Sequence, residues 1–302
     1  MIFAPPRFPG LPLGLATLAL LVYADLYLFT TATSTPPSPL TLVFIILLLL
    51  SLPLLAWLGY RCLALARARY VVGRNALVIE WGGRREVIPL DSIGEVRLGA
   101  ELAERLRPRG LGWPGYVAGS MESASLGGIE FLAATPQPGL VLVQYPAGWL
   151  ALSPTDPEAF LTALNARTAE GMEEPVAPES LRPDLPQWPL WRDRLALALI
   201  LLSGLSVLAL IGYLTLIYPQ LPAQIALHFD AHGQPDRFGP PTGLFLLPVI
   251  AGVAWALNTL GGVWLHRNET ERAGAYLIFG ATAFVQGLVW VATVGLLTAG
   301  RA

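Results

Sequence analysis

The stretch "LTLVFIILLLLSLPLLAWLGYRCLALARARYVVGRNALVIEW", residues 40–81, changes character twice. Leu40 to Tyr60 carries no charge and is long enough to cross roughly 30 Å of hydrocarbon as a helix. Arg61, Arg67 and Arg69 then mark the watery side of that span. Tyr70, Val71 and Val72 open a β-rich run, and after a turn at Gly73 the segment Ala76 to Trp81 alternates as a half-buried strand does. A membrane helix that feeds directly into a β domain sets the frame for the rest of the chain.

Composition agrees with that frame. The 302 residues are 54% hydrophobic and 13% charged, with a mean hydropathy of +0.56, whereas a soluble domain carries about 25% charged residues. Four more stretches qualify as spans: Leu11 to Thr31, Leu195 to Tyr218, Leu244 to Leu265 and Ala275 to Leu297. Arg7 ahead of the first gives it the look of a signal peptide, but its length and the prompt arrival of the second span predict a helical hairpin. With alternating spans, Arg7, Arg61, Arg67, Arg69, Arg192, Arg194, Arg267 and Arg272 fall on one side, against Arg237 and Arg301 on the other. That asymmetry predicts a bacterial inner-membrane protein whose N-terminus and residues 61–194 are cytoplasmic. A net charge of −2 speaks against nucleic acid as a partner. The single cysteine, Cys62, cannot form an intramolecular disulfide.

Residues 66–168 read as a folded domain. Gly82-Gly83 makes a turn before "REVIPL", and "GIEFLAA" (128–134), "GLVLVQYP" (139–146) and "GWLALS" (148–153) read as further antiparallel strands. In "SPTDPEAFLTALNARTA", Ser153 is expected to cap a helix with Pro154 in its first turn, and Phe160, Leu161 and Leu164 share one face. These residues resemble the bacterial pleckstrin-homology-like domains. The likeness rests on Tyr70 and "ALVI" (76–79) with "IPLDSIGEVR" (88–97), on "GLGWPGYVAGSMES" (110–123), and above all on "LALSPTDPEAFLTAL" (150–164). It implies a seven-stranded all-β barrel capped by a C-terminal helix. Relatives with a basic loop bind phosphoinositides; here Arg105, Arg107 and Arg109 are expected as a membrane-surface basic patch, each worth on the order of 1 kcal/mol near anionic headgroups.

The expected layout is thus a two-helix hairpin (1–65), the β domain (66–168), an acidic Pro-rich linker (169–191) and a three-helix region (192–302). The linker has little that can pack and is expected to stand off the membrane, while Trp188 and Trp191 look like interfacial anchors. The loop 219–243 between the third and fourth spans holds two of the three histidines. Its "LPAQIALHFDAHGQPDRFGPP" (221–241) resembles the SdpI family of bacterial membrane proteins at Leu221, Pro222, Ile225, His228, Phe229, Asp230, Gly233, Pro235 and Asp236. A Lys usual in that pattern is replaced near Pro241. Better-understood members resist an extracytoplasmic toxin, and some relay its presence to a cytoplasmic regulator, so the resemblance implies a recognition loop comprising His228, Phe229, Asp230, His232, Asp236 and Arg237.

Chemistry finds weaker support in these residues. His228 and His232 are four apart, as metal-binding histidines on a helix are, yet Gly233 and the nearby prolines oppose a helix and no Glu stands between them. The expected arrangement is structural. Ile225 and Phe229 enter the membrane interface, Gly233 and Pro235 form a turn, Asp236 bonds local backbone N–H groups or Arg237, and one of the aspartates holds His228. A His beside a carboxylate also admits a proton-linked switch. Inside the spans, Asp25 is the one acidic residue, and Asn258 and Gln286 are placed to bond each other. Gly252, Gly261, Gly262, Gly280, Gly287 and Gly295 are expected to let helices approach closely. No cofactor or metal is expected, and membrane lipids and a protein are the expected partners. The reading is a non-enzymatic binding, signalling or immunity-like protein that couples an outer recognition loop to a cytoplasmic protein-binding domain. An accessory subunit of a larger complex, and a proton-linked transporter or metal-dependent enzyme using the His/Asp loop, stand as alternatives.

Overall fold

The computed structural model describes residues 1–109, 112–182, 188–230, 232 and 234–299, the Ala299 side chain excepted. In chain order these form β1 (Ile2–Phe3), α1 (Gly10–Ser34), α2 (Pro39–Arg67), β2 (Arg69–Val72), β3 (Ala76–Trp81), β4 (Arg84–Pro89) and β5 (Val96–Leu98). Next come β6 (Val117–Ser123), β7 (Gly127–Ala133), β8 (Val141–Tyr145), β9 (Gly148–Leu152), α3 (Pro157–Glu170) and β10 (Glu179–Leu181). The chain closes with α4 (Arg194–Ile217), β11 (Ile225–Phe229), β12 (Pro235–Gly239), α5 (Leu246–His266) and α6 (Arg272–Ala299). Two compact units result, Met1–Asp25 with Ser51–Pro183, and Leu26–Leu50 with Asp184–Ala302.

In the first unit, two separate five-stranded sheets, ordered β1-β2-β3-β4-β10 and β5-β8-β9-β7-β6, enclose one core. The expected barrel is therefore not closed: among the described residues no strand of one sheet is paired with a strand of the other. Nor is every pair antiparallel, because β7 and β9 run parallel. Tyr70, Leu77, Ile79 and Ile88 of the first sheet meet Leu132, Val141, Val143, Leu150 and Leu152 of the second. Ile129, Phe131, Leu142, Trp149 and Ala151, on the far face of the second sheet, pack with Leu106 in a second cluster. Burial on both faces is why those strands read as unbroken apolar runs and not as alternation.

Three distant segments complete this unit. The Tyr70 hydroxyl donates to the Leu132 carbonyl at 2.6 Å and so ties β2 to β7 across the core. Phe160 and Leu164 of α3 enter the same core. That helix begins later than expected, with Asp156 as its cap accepting from the Ala159 N–H at 2.9 Å. Ser153 is instead buried, its Oγ accepting from the Ala134 N–H at 2.7 Å. The linker does not stand wholly free, because β10 pairs with the edge of β4. Ser180 donates to Glu86 at 2.8 Å, and Arg182 reaches Glu86 at 3.1 Å and Glu130 at 3.3 Å. Arg84, itself buried, joins both carboxylates.

Helix α2 runs past the span expected for it. At 29 residues it is about 43 Å long, more than hydrocarbon requires. Its last turns place Cys62, Ala64 and Leu65 among the buried residues, with the latter two in the β-domain core. Arg61 lies 4.3 Å from the Trp57 ring centre and 5.0 Å from that of Tyr116, which stacks on Trp113. The start of α1 is held as firmly: the backbones of Gly10 and Gly115 approach too closely for a Cβ on either, and Trp113 Nε1 donates to the Gly10 carbonyl at 2.8 Å.

In the second unit, α4, α5 and α6 are linked by buried and half-buried polar contacts. Trp255 Nε1 donates to the Ile200 carbonyl, Trp290 Nε1 to Ser206 and Gln286 Nε2 to the Ala251 carbonyl, all at 2.9–3.0 Å. Gln286 thus bonds backbone and not Asn258, which is half-buried without a hydrogen bond to a described residue. Of the glycines expected to allow close approach, Gly262 does so, against Phe279, while Gly252 meets Val207 at ordinary distance. Gly261, Gly280, Gly287 and Gly295 face no neighbour. Leu277, Phe284 and Val291 form an exposed apolar stripe along α6, as a lipid-facing surface does. Among the described residues, five helices are long and apolar enough to cross a membrane; this is a multi-pass membrane protein.

Candidate functional site

The loop that opens the functional question folds as a hairpin, β11 against β12, with irregular register on both sides of His228. Asp230 shapes its tip. One carboxylate oxygen accepts from the N–H groups of His232 and Gln234, both at 2.8 Å, and its own N–H donates to the Gln234 carbonyl at 2.9 Å. The backbone-binding part expected of Asp236 therefore belongs to Asp230. Gly233, expected to supply the turn, lies outside the described residues.

Asp236 is left for His228, and the carboxylate and ring Nδ1 are 2.6 Å apart. The pair is on the surface, with side chains 63% and 45% exposed. His232 is more exposed still, and its ring lies 3.8 Å from Asp230. The four groups thus divide into two separate pairs, and among the described residues no three His, Cys, Asp or Glu side chains gather as metal ligands do. Arg237 does not pair with Asp236; it lines an apolar cavity of about 440 Å³ with Leu227, Phe245 and Leu246. Phe229 is half-buried, but Ile225 is buried in the core that β11 shares with α4, α5 and α6, not placed in an interface with lipid. The arrangement is a hairpin rooted in the helical core through Ile225, with an exposed imidazole–carboxylate pair bridging its two strands.

The other expected positions are scattered. Asp25 accepts from Ser51 at 2.8 Å, a bond that joins α1 to α2. Arg105, Arg107 and Arg109 are exposed. The latter two line a cavity of about 670 Å³ with Arg182, Glu130, Tyr145 and Trp149.

A further cluster escaped the sequence reading. Asp193 caps α4 by accepting from the Ala196 N–H at 3.0 Å, while its other oxygen accepts from the Tyr276 hydroxyl and lies 2.8 Å from His266 Nε2. Burial works to raise the Asp193 carboxyl, but the bonds from Tyr276, Ala196 and His266 outweigh it and hold the group at about 2. The signal available was an Asp immediately before an apolar helix; its two long-range partners had none.

The two sheets, the Tyr70 tie and the terminal helix complete the evidence for the β domain. Residues 68–168 match the bacterial PH domain. A second segment, residues 205–252, matches a domain of unknown function, DUF1648, and contains the whole hairpin. Both agree with the resemblances read from the sequence, and neither description names an enzymatic activity. An uncharacterized protein of Archaeoglobus fulgidus is 40% identical over 60 residues, 20% of this chain. The aligned part spans 33% of that relative's own length. No solved structure matches.

Proposed function

We propose that this is a non-enzymatic membrane sensor, in which the β11–β12 hairpin recognises an extracytoplasmic ligand and the PH-type domain engages a protein in the cytoplasm. The observation that carries the reading is the His228–Asp236 pair, hydrogen-bonded and exposed on a hairpin rooted in the helical core. A recognition surface needs polar groups held in place without being buried, and this pair meets both requirements. The arginine distribution supports a cytoplasmic β domain. The relay is supported by α2, whose last turns are built into the β-domain core, and by Trp113 holding the start of α1.

The test is a photo-crosslinking residue at Phe238, exposed on β12, in the full-length protein in its native membrane. A defined adduct that disappears in both His228→Ala and Asp236→Asn, while circular dichroism and thermal midpoint stay at wild-type values, is the expected result. An adduct indifferent to both substitutions sinks the hairpin reading.

A further inference from the structure

At the end of the helical unit away from the hairpin, Arg192, Asp193, Arg194, His266, Glu269 and Arg272 line a cavity of about 580 Å³. All six lie outside both matched segments. Three guanidinium groups face two carboxylates there, and neither carboxylate answers them well. Asp193 is already taken by Tyr276, His266 and the Ala196 N–H. Glu269 is 91% exposed and 3.9 Å from Arg272, a surface contact of little strength. Arg192 and Arg194 are exposed and make no ion pair with a described residue.

Two buried atoms of residues that line this cavity also lack partners among the described residues. Arg272 Nε is shielded from solvent with no hydrogen bond to a described residue, and so is His266 Nδ1, on a side chain 1% exposed. A buried donor or acceptor left unmet costs about 1–3 kcal/mol, so two on residues that line one cavity favour a small turn of these side chains toward a ligand that meets them. The N-terminal ends of α4 and α6 lie at this end of the unit with the C-terminal end of α5, and two positive ends against one negative leave a net positive field.

We infer that this cavity binds a phosphate group. Guanidinium forks match phosphate oxygens in shape and charge. With Nε2 engaged by Asp193, the other nitrogen of His266 donates to an ionised phosphodiester oxygen when the ring is charged, whereas a neutral ring accepts there only from the P–OH of inorganic phosphate or a phosphomonoester. The cavity lies at the water end of apolar helices, the depth of phospholipid headgroups, which favours a lipid as the source of the phosphate.

The test uses the full chain purified in neutral detergent and follows its thermal midpoint against phosphatidylglycerol, phosphatidylcholine and inorganic phosphate. Native mass spectrometry reads retained lipid on the same samples. We expect saturable stabilisation and retention with phosphatidylglycerol, weakened about tenfold or more in Arg272→Gln and in the double variant Arg192→Gln/Arg194→Gln. The double variant replaces exposed side chains and keeps the test valid if Arg272→Gln does not fold. Equal stabilisation by inorganic phosphate supports the site with a free anion as its occupant. Equal saturable stabilisation by both lipids, lost in the double variant, supports a site that reads the phosphodiester alone. No saturable response to either lipid together with no response to phosphate overturns the inference, as does a wild-type response in the double variant.

Discussion

Asp193 shows how one carboxylate can organise the meeting of three helices. It caps α4 and accepts from side chains of α5 and α6, and these bonds lower it from an ordinary 3.8 to about 2. A depressed carboxyl contributes stability above its unfolded value and loses it as pH falls through its folded one. The contribution, on the order of 2 kcal/mol, is therefore present above about pH 4 and gone below about pH 2. Asp193→Asn is expected to lower the thermal midpoint at neutral pH and to flatten its dependence between those limits. A variant with the wild-type acid limb contradicts this. In the β domain, burial pushes the Tyr70 phenol up, so it stays a neutral donor to Leu132. Tyr70→Phe should cost about 1–2 kcal/mol in denaturant unfolding, and an unchanged midpoint with unchanged slope would show that the cross-sheet bond contributes nothing. Residue types here were legible but their partners were not. "SPTDP" offers two helix caps, and the choice fell to Asp156 because Ser153 is held in the core by the Ala134 N–H. In the hairpin, both aspartates were within reach of His228, and the irregular register, which no pattern of residues records, assigned Asp236 to it.

At the scale of elements, spans and strands were readable because each is a local pattern of period or length. Their pairings were not, because they join distant residues. Ile2 pairs with Val71 and Ser180 with Glu86, so the first sheet gains an edge from each side that no local signal announces. The unclosed pair of sheets, where a barrel was expected, has the same origin. Helix rotation is a second quantity set by packing. Six glycines looked equivalent in the sequence, yet one of them, Gly262, meets a ring closely, and Gly280 meets nothing. Gly262→Leu is thus expected to overpack against Phe279 and cost about 1–3 kcal/mol, whereas Gly280→Leu, on an open face, should leave the detergent-solubilised midpoint near wild type. Equal effects at the two positions would mean that α5 and α6 do not meet along the face described.

For the whole molecule, the sensing reading stands or falls with sidedness. Arginines near the span ends set the expectation, since short loops rich in positive charge stay cytoplasmic and the loop between α4 and α5 holds only Arg237. Two exposed positions report on it. His232 has a side chain 87% exposed at the hairpin, and Arg107 is exposed in the β domain. Cys62 is buried, so the native thiol gives little background. In intact cells, a membrane-impermeant maleimide is expected to label His232→Cys and to spare Arg107→Cys until the membrane is broken. The reverse pattern would place the PH-type domain outside and the hairpin within, and would remove the basis for a signal passing inward from the hairpin. It would leave the phosphate cavity in place but move it to the outer leaflet, because Arg192 and Arg272 share the end of the helices opposite the hairpin. Labelling of both positions in intact cells would mean that eight arginines against two do not fix the orientation of this chain.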